Sequence, residues 1–116
     1  MSSKARVGFI GLGAMGVSMA GHLNANGLLK VVANRSASKA EQLAERLAVK
    51  AAHTFVDFSE CDVVVLCVSK DDDVLQCCRD LAPVLSPGAV VIDHSTVARA
   101  TAQQAYALLQ EKDIAF

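Results

Sequence analysis

The first chemistry legible in this chain lies in three glycines, Gly11, Gly13 and Gly16, spaced G-x-G-x-x-G within RVGFIGLGAMGVSMAGHL over 6–23. The apolar residues Val7, Phe9 and Ile10 precede them, and a small-residue, Met-rich helical pattern follows without interruption. A strand that stops at a tight turn, from which a helix starts, is suited to binding phosphate. Gly11 would allow the turn, and Gly13 would let a pyrophosphate approach the backbone with no side chain in the way. Gly16 would let the helix pack closely on the strand. The free N–H groups of the helix's first turn, at its positive dipole end, complete the phosphate site. Glycine-rich turns are common, so the spacing alone is weak evidence, and the alternative is a purely structural turn. The flanking strand and helix, with a second strand ending near Asn34, supply the context for a dinucleotide site.

The end of that second strand is where such a fold chooses its cofactor. An acid there would bond a ribose 2′-OH and repel a 2′-phosphate. This chain instead has Asn34, eighteen residues after Gly16, then Arg35 and Ser36, with Lys39 one turn into the next helix. A neutral amide, a planar cation and a hydroxyl favour a 2′-phosphate, the guanidinium through charge-assisted hydrogen bonds. NADP is therefore expected over NAD, the alternative being that Arg35 is a solvated loop charge.

The elements that must position these residues alternate. Strands are expected over 6–10, 28–33, 51–54, 63–68 and 89–93 and helices over 14–26, 38–49, 74–85 and 101–112, and a sixth strand opens at 113. Met15, Met19 and Leu23 form an apolar helical face, with only Met15 near the phosphates, and Gly27 is a plausible C-cap. Ser38 and Glu41 have the spacing of a capping box, and Leu43 and Leu47 face the sheet. The continuous apolar run 63–68 reads as a central parallel strand buried on both faces, with Cys67 as a small buried hydrophobe. Asp71, Asp72 and Asp73 follow it. They invite a metal reading, but consecutive side chains diverge and the start of a helix favours acids in any case. No metal is expected. The pattern is α/β, a Rossmann-type doubly wound parallel sheet forming one domain over 1–116, with strand order 3-2-1-4-5.

The octapeptide Phe9-Ile10-Gly11-Leu12-Gly13-Ala14-Met15-Gly16, with Met19-Ala20 and His22, resembles the opening signature of the β-hydroxyacid dehydrogenases, among them 3-hydroxyisobutyrate dehydrogenase and the related 6-phosphogluconate dehydrogenases. The signature fixes Leu12, Met15, Met19 and Ala20 as well as the glycines. It implies that Gly11, Leu12, Gly13, Ala14, Met15 and Gly16 hold the cofactor, and an Asn-Arg pair at 34–35 resembles the family's NADP type. Asp93-His94-Ser95-Thr96 is similar to the family's D-x-S-T motif between nicotinamide and substrate. That likeness gives Ser95 and Thr96 to the nicotinamide ribose or the substrate carboxylate, and Asp93 to bracing the turn. His94, at the variable position, is assigned no catalysis. Val68, Ser69 and Val74 match positions on the family's adenosine side, and ordinary packing explains them nearly as well. The family often has a proline after this motif, absent from Val97-Ala98-Arg99-Ala100.

The resemblance covers only an N-terminal cofactor domain. The family's substrate loop and general-acid lysine lie beyond it, in an all-helical second domain. Lys4, Lys30, Lys39, Lys50, Lys70 and Lys112 match no such role. The chain is thus expected to bind the cofactor without turnover, as part of an enzyme that interconverts a 3-hydroxy acid and its semialdehyde. A 6-phosphogluconate-type parent is the second reading, and a non-catalytic nucleotide-binding or oligomerisation module the third.

Composition agrees with this outline. Hydrophobic residues make up 53 % and charged ones 20 %, which suits a sheet covered on both faces. A net charge of −1 gives no reason to expect nucleic acid or an anionic membrane as partner. No apolar run approaches the ~20 residues of a membrane span. The polar start, without a signal-peptide h-region, points to a cytoplasmic protein. Cys61, Cys67, Cys77 and Cys78 contain no C-x-x-C and are expected to be reduced thiols. Val97, Ala98 and the apolar face of the last helix lack their family cover, so a homo-oligomer is expected.

Overall fold

A computed structural model describes residues 5–95 and 97–116. Five strands, β1 (Val7–Ile10), β2 (Leu29–Ala33), β3 (Lys50–Ala51), β4 (Val63–Leu66) and β5 (Val90–Asp93), form one sheet in the order β3-β2-β1-β4-β5. All neighbours pair in parallel. Four helices connect them: α1 (Ala14–Ala25), α2 (Ala37–Leu47), α3 (Asp71–Leu81) and α4 (Arg99–Gln110). The expected architecture and strand order are those observed. Val90 bridges Ala115 in parallel, so the chain's last residues begin to pair beyond β5.

Side-chain alternation divides the core in two. Val7, Phe9 and Val65 face the layer of α1 and α2 with Ala20, Leu43 and Ala44, whereas Ile10, Val64 and Leu66 face Val74, Cys78, Ala105 and Leu109 of α3 and α4. Leu29 and Val31 would share a face in a regular strand. The register slips between the pairs Val7–Leu29 and Gly8–Val31, passing over the exposed Lys30. That slip turns Val31 to the α3 side while Leu29 stays on the α1 side.

Several boundaries differ from the sequence reading. The buried face of α1 is built on Gly16 and Ala20, with Met19 and Leu23 half-buried at its margin, while Met15 stands 64 % exposed. Helix α2 begins at Ala37 behind Ser36, so Ser38 lies within it and the Ser38–Glu41 capping box does not form. The hydroxyl of Ser38 instead meets that of Ser36 at 3.2 Å. Strand β3 is only two residues long and is followed by a short 3₁₀ helix, Phe55–Phe58, absent from the sequence reading. Thr54 and Asp57 cap that helix reciprocally, and the wholly buried Phe58 ring packs over Gly8, where a side chain would clash with it. Helix α3 starts at Asp71 rather than Val74, which puts all three aspartates in its first turn. Strand β5 is covered on one face, and Ile92 on the other is 41 % exposed.

Three helices end in the same way. After α1, Leu28 N–H donates to Leu23 O and Gly27 N–H to Asn24 O, the paired bonds of a Schellman motif with Gly27 at φ 73°. The same pair closes α4 at Asp113 and α2 at Ala48, the latter with φ 58°. A left-handed backbone costs an L-residue with a Cβ about 1 kcal/mol or more, and Ala48 gains no side-chain bond in return. Ala48→Gly is therefore expected to stabilise the fold by up to about 1 kcal/mol, reduced by the added freedom of the unfolded chain. Urea unfolding checks this, and a lower midpoint in the variant would contradict it.

Candidate functional site

The C-terminal ends of β1, β2 and β4 open into a cleft of about 510 Å³. It sits where the chain's crossovers change direction, between β1 and β4, the place where open α/β sheets hold ligands. The glycine turn forms its floor. Gly11 has φ 103°, and a Cβ there would strike the Cys67 carbonyl, so the turn needs glycine for both conformation and space. A Cβ on Gly16 would strike the Gly11 carbonyl and press on the Phe9 ring, and its absence lets α1 seat on β1. A Cβ on Gly13 would meet nothing within 4 Å, because the space above it is the cleft itself. Gly13 is also the N-cap of α1, where no side chain caps the first-turn N–H groups. An open floor, uncapped donors and a helix dipole fit a pyrophosphate.

The residues expected at the site fall into three groups. Gly11, Leu12, Gly13, Asn34, Arg35, Val68 and Ser69 line the cleft together. Leu12 does so through its backbone, since its side chain is buried under α1 and α2. The Leu12 N–H donates to Asn34 Oδ1 at 2.9 Å, so Asn34 braces the glycine turn as well as ending β2. Ala14, Met15, Gly16 and Ser36 do not line the cleft. Ala14, Met15 and Ser36 are exposed beside it, and Gly16 is buried behind it. Val74 is wholly buried in the core under α3, so its side chain packs against the sheet and is remote from the cleft surface.

At the end of β5, Asp93 Oδ1 accepts the Ser95 N–H at 2.7 Å, and Ser95 Oγ accepts the Val68 N–H at 2.9 Å. Asp93 thus braces the turn, while the Ser95 hydroxyl ties the ends of β4 and β5 together. His94 is exposed. Thr96 lies outside the described residues. Asp71 secures the other side of this loop by accepting from Ala98 N–H at 3.0 Å and Thr101 Oγ at 2.7 Å. The Thr101 hydroxyl, followed by the Ala98 amide, holds the Asp71 carboxyl below the usual carboxylate range. The three aspartates are used separately: Asp73 meets Arg35 Nη2 at 3.0 Å, and Asp72 is exposed.

The far end of the cleft was not read from the sequence. His53, Thr54 and Phe55, from the loop after β3, face Gln76 and Asp80 of α3 across it. Their loop is pinned by Asp57, which binds Lys50 Nζ at 2.8 Å and accepts the His53 and Thr54 N–H groups. Those bonds, the Lys50 one foremost, lower the Asp57 pKa to about 2. The signal was present as T-x-x-D at 54–57, the spacing of a capping box enclosing the apolar pair Phe55-Val56.

The family of NAD-binding domains of 6-phosphogluconate dehydrogenase matches residues 6–116. The chain belongs to this family. As an NAD-binding domain it is 38 % identical over 116 residues to an "uncharacterized oxidoreductase" of Shewanella frigidimarina (strain NCIMB 400), covering 97 % of this chain and 40 % of that protein. The chain therefore spans well under half the length of that relative. Among solved structures, Synechocystis arogenate dehydrogenase superposes with a TM-score of 0.78 at 31 % identity, over 89 % of this chain and 37 % of that one. Mycobacterium tuberculosis 3-hydroxyisobutyrate dehydrogenase, solved with L-serine, shares the fold with a TM-score of 0.88 at 24 % identity, over 97 % and 38 % of the two chains. Among the described residues, no helix of this domain is long and apolar enough to cross a membrane.

The cysteines report on the cleft. Burial raises the pKa of Cys61 and Cys77 to about 11 and of Cys78 to about 12, so these thiols stay protonated at neutral pH. Cys67, expected to be buried, is partly so: it packs against the α1 side of the core and also lines the cleft wall, with its carbonyl against Gly11. A maleimide at pH 7 should label Cys67 first, and a bound dinucleotide should slow that labelling. Equal labelling of all four thiols, or no protection by dinucleotide, would contradict this placement.

Proposed function

We propose that this domain is the NADP-binding part of a β-hydroxyacid dehydrogenase, which interconverts a 3-hydroxy acid and its semialdehyde. The observation that carries the reading is the cleft geometry: an open Gly13 floor at an uncapped helix start, with Arg35 rather than an acid at the end of β2. NADP, when bound, supplies hydride chemistry at its nicotinamide ring. The chain's own residues bind and orient. First-turn N–H groups of α1 receive the pyrophosphate, and Asn34 keeps the glycine turn in shape through Leu12. Arg35, with Ser36 beside it, receives the 2′-phosphate. Val68 and Ser69 flank the adenosine side, and Val74 packs beneath them. Asp93, Ser95 and Asp71 fix the ends of the loop after β5, and we assign Ser95 and Thr96 to the nicotinamide ribose or the substrate carboxylate.

Reduction of a carbonyl needs a proton donor beside the developing alkoxide. Among the described residues no lysine lines the cleft, and Lys50 is paired with Asp57. We therefore assign the donor to sequence outside this chain, which binds cofactor without turnover. The family match equally supports a 6-phosphogluconate-type parent, with the same cofactor site and another substrate. In either case we read one domain, a cytoplasmic setting and a homo-oligomeric parent, with Ile92 on the uncovered face of β5 and Tyr106 on α4 as exposed apolar groups.

Calorimetric titration with NADP and NAD tests the cofactor assignment. NADP should bind more tightly, and Arg35→Ala should weaken NADP binding by about tenfold, the worth of a charge-assisted hydrogen bond. Asn34→Asp keeps the acceptor for Leu12 N–H but adds a charge, and should turn the preference toward NAD. Undiminished NADP affinity in Arg35→Ala would refute the 2′-phosphate assignment.

A further inference from the structure

Arg35 and Asp73 stand on opposite walls of the cleft and meet across its mouth. Arg35 leaves the end of β2, and its Nη2 lies 3.0 Å from both Oδ1 and Oδ2 of Asp73. Asp73 sits in the first turn of α3, where the helix dipole favours its charge. The Arg35 side chain is 77 % exposed and that of Asp73 only 28 %, so a solvent-exposed guanidinium meets a more buried carboxylate. The other acids of α3 have other partners or face solvent. Asp71 is engaged with Ala98 and Thr101, Asp80 accepts from Gln76 at 3.1 Å, and Asp72 is exposed on α3.

We propose that Asp73 is a specificity-determining residue, a built-in counter-charge that engages Arg35 and narrows the cleft's preference for NADP over NAD. This rests on the reading of Arg35 as the 2′-phosphate reader. A 2′-phosphate must take the guanidinium from Asp73 and then lie close to the carboxylate it displaced. Both effects weaken NADP binding through short-range charge. A ribose 2′-OH makes neither demand, so NAD binding is untouched. The cleft therefore accepts both dinucleotides, and Asp73 sets the ratio.

The test is calorimetric titration of the full chain with NADP and NAD in wild type, Asp73→Asn, Arg35→Ala, the double variant and Asp72→Asn. Asp73→Asn should tighten NADP binding by about fivefold, the upper range for an exposed ion pair, and leave NAD within about twofold. The gain should vanish in the Arg35→Ala background, and Asp72→Asn should change NADP binding by less than about twofold. Asp73→Ser, also compatible with a helix start, repeats the measurement should the Asn variant fold poorly. Unchanged or weaker NADP binding in both Asp73 variants would overturn the proposal, as would a gain that persists without Arg35. If Arg35→Ala weakens NADP binding but Asp73→Asn gives no gain, only the counter-charge idea fails. If Arg35→Ala has no effect on NADP, the 2′-phosphate reading fails and the proposal falls with it.

Discussion

The closest constraint in the molecule is the stack of backbone at Gly11. The Cys67 carbonyl just after β4 lies against one side of this residue, and Gly16 of α1 sits so near the Gly11 carbonyl that a Cβ on Gly16 would strike it. Three elements thus converge on a point where no Cβ fits. Because β1 and β4 pair in register, that convergence fixes where α1 starts relative to the sheet edge. The start of α1 then determines where its unpaired N–H groups point. Anion binding in this fold is a consequence of backbone packing, with side chains added around it.

Electrostatics are laid over that packing at the end of β2. Asn34 spends its carbonyl on the glycine turn, so the residue after β2 that we propose to bear on cofactor choice also supports that turn. Arg35 has no such structural duty and is free to trade partners. An acid at 34 would keep the brace and change the charge. This separation lets cofactor choice vary without disturbing the fold.

Much of this was legible in the sequence because periodicity and glycine spacing are local signals. The glycine turn and the Gly27 cap follow from short stretches, the strand order from the alternation of elements with right-handed crossovers, and the bracing role of Asp93 from the family resemblance alone. What was not legible depends on contacts distant in sequence. Val74 matches a family position on the adenosine side, but within α3 it packs wholly into the core. Cys67 belongs to a continuous apolar run, yet β4 ends at Leu66 and Cys67 lines the cleft wall with its carbonyl against Gly11. The wall formed by His53, Thr54 and Phe55 depends on a two-residue strand and a capped 3₁₀ turn, both too short for periodicity to show. The Arg35–Asp73 pair joins residues 38 apart in sequence, and no local pattern announces it.

The central claim is that the first turn of α1 is the phosphate site. The most direct measurement is a ¹⁵N–¹H NMR titration of the chain with NADP. The account predicts that the amides of Gly13, Ala14 and Met15 move most, with smaller shifts at Arg35 and Val68. Saturable binding that leaves the Gly13, Ala14 and Met15 amides unmoved would contradict it.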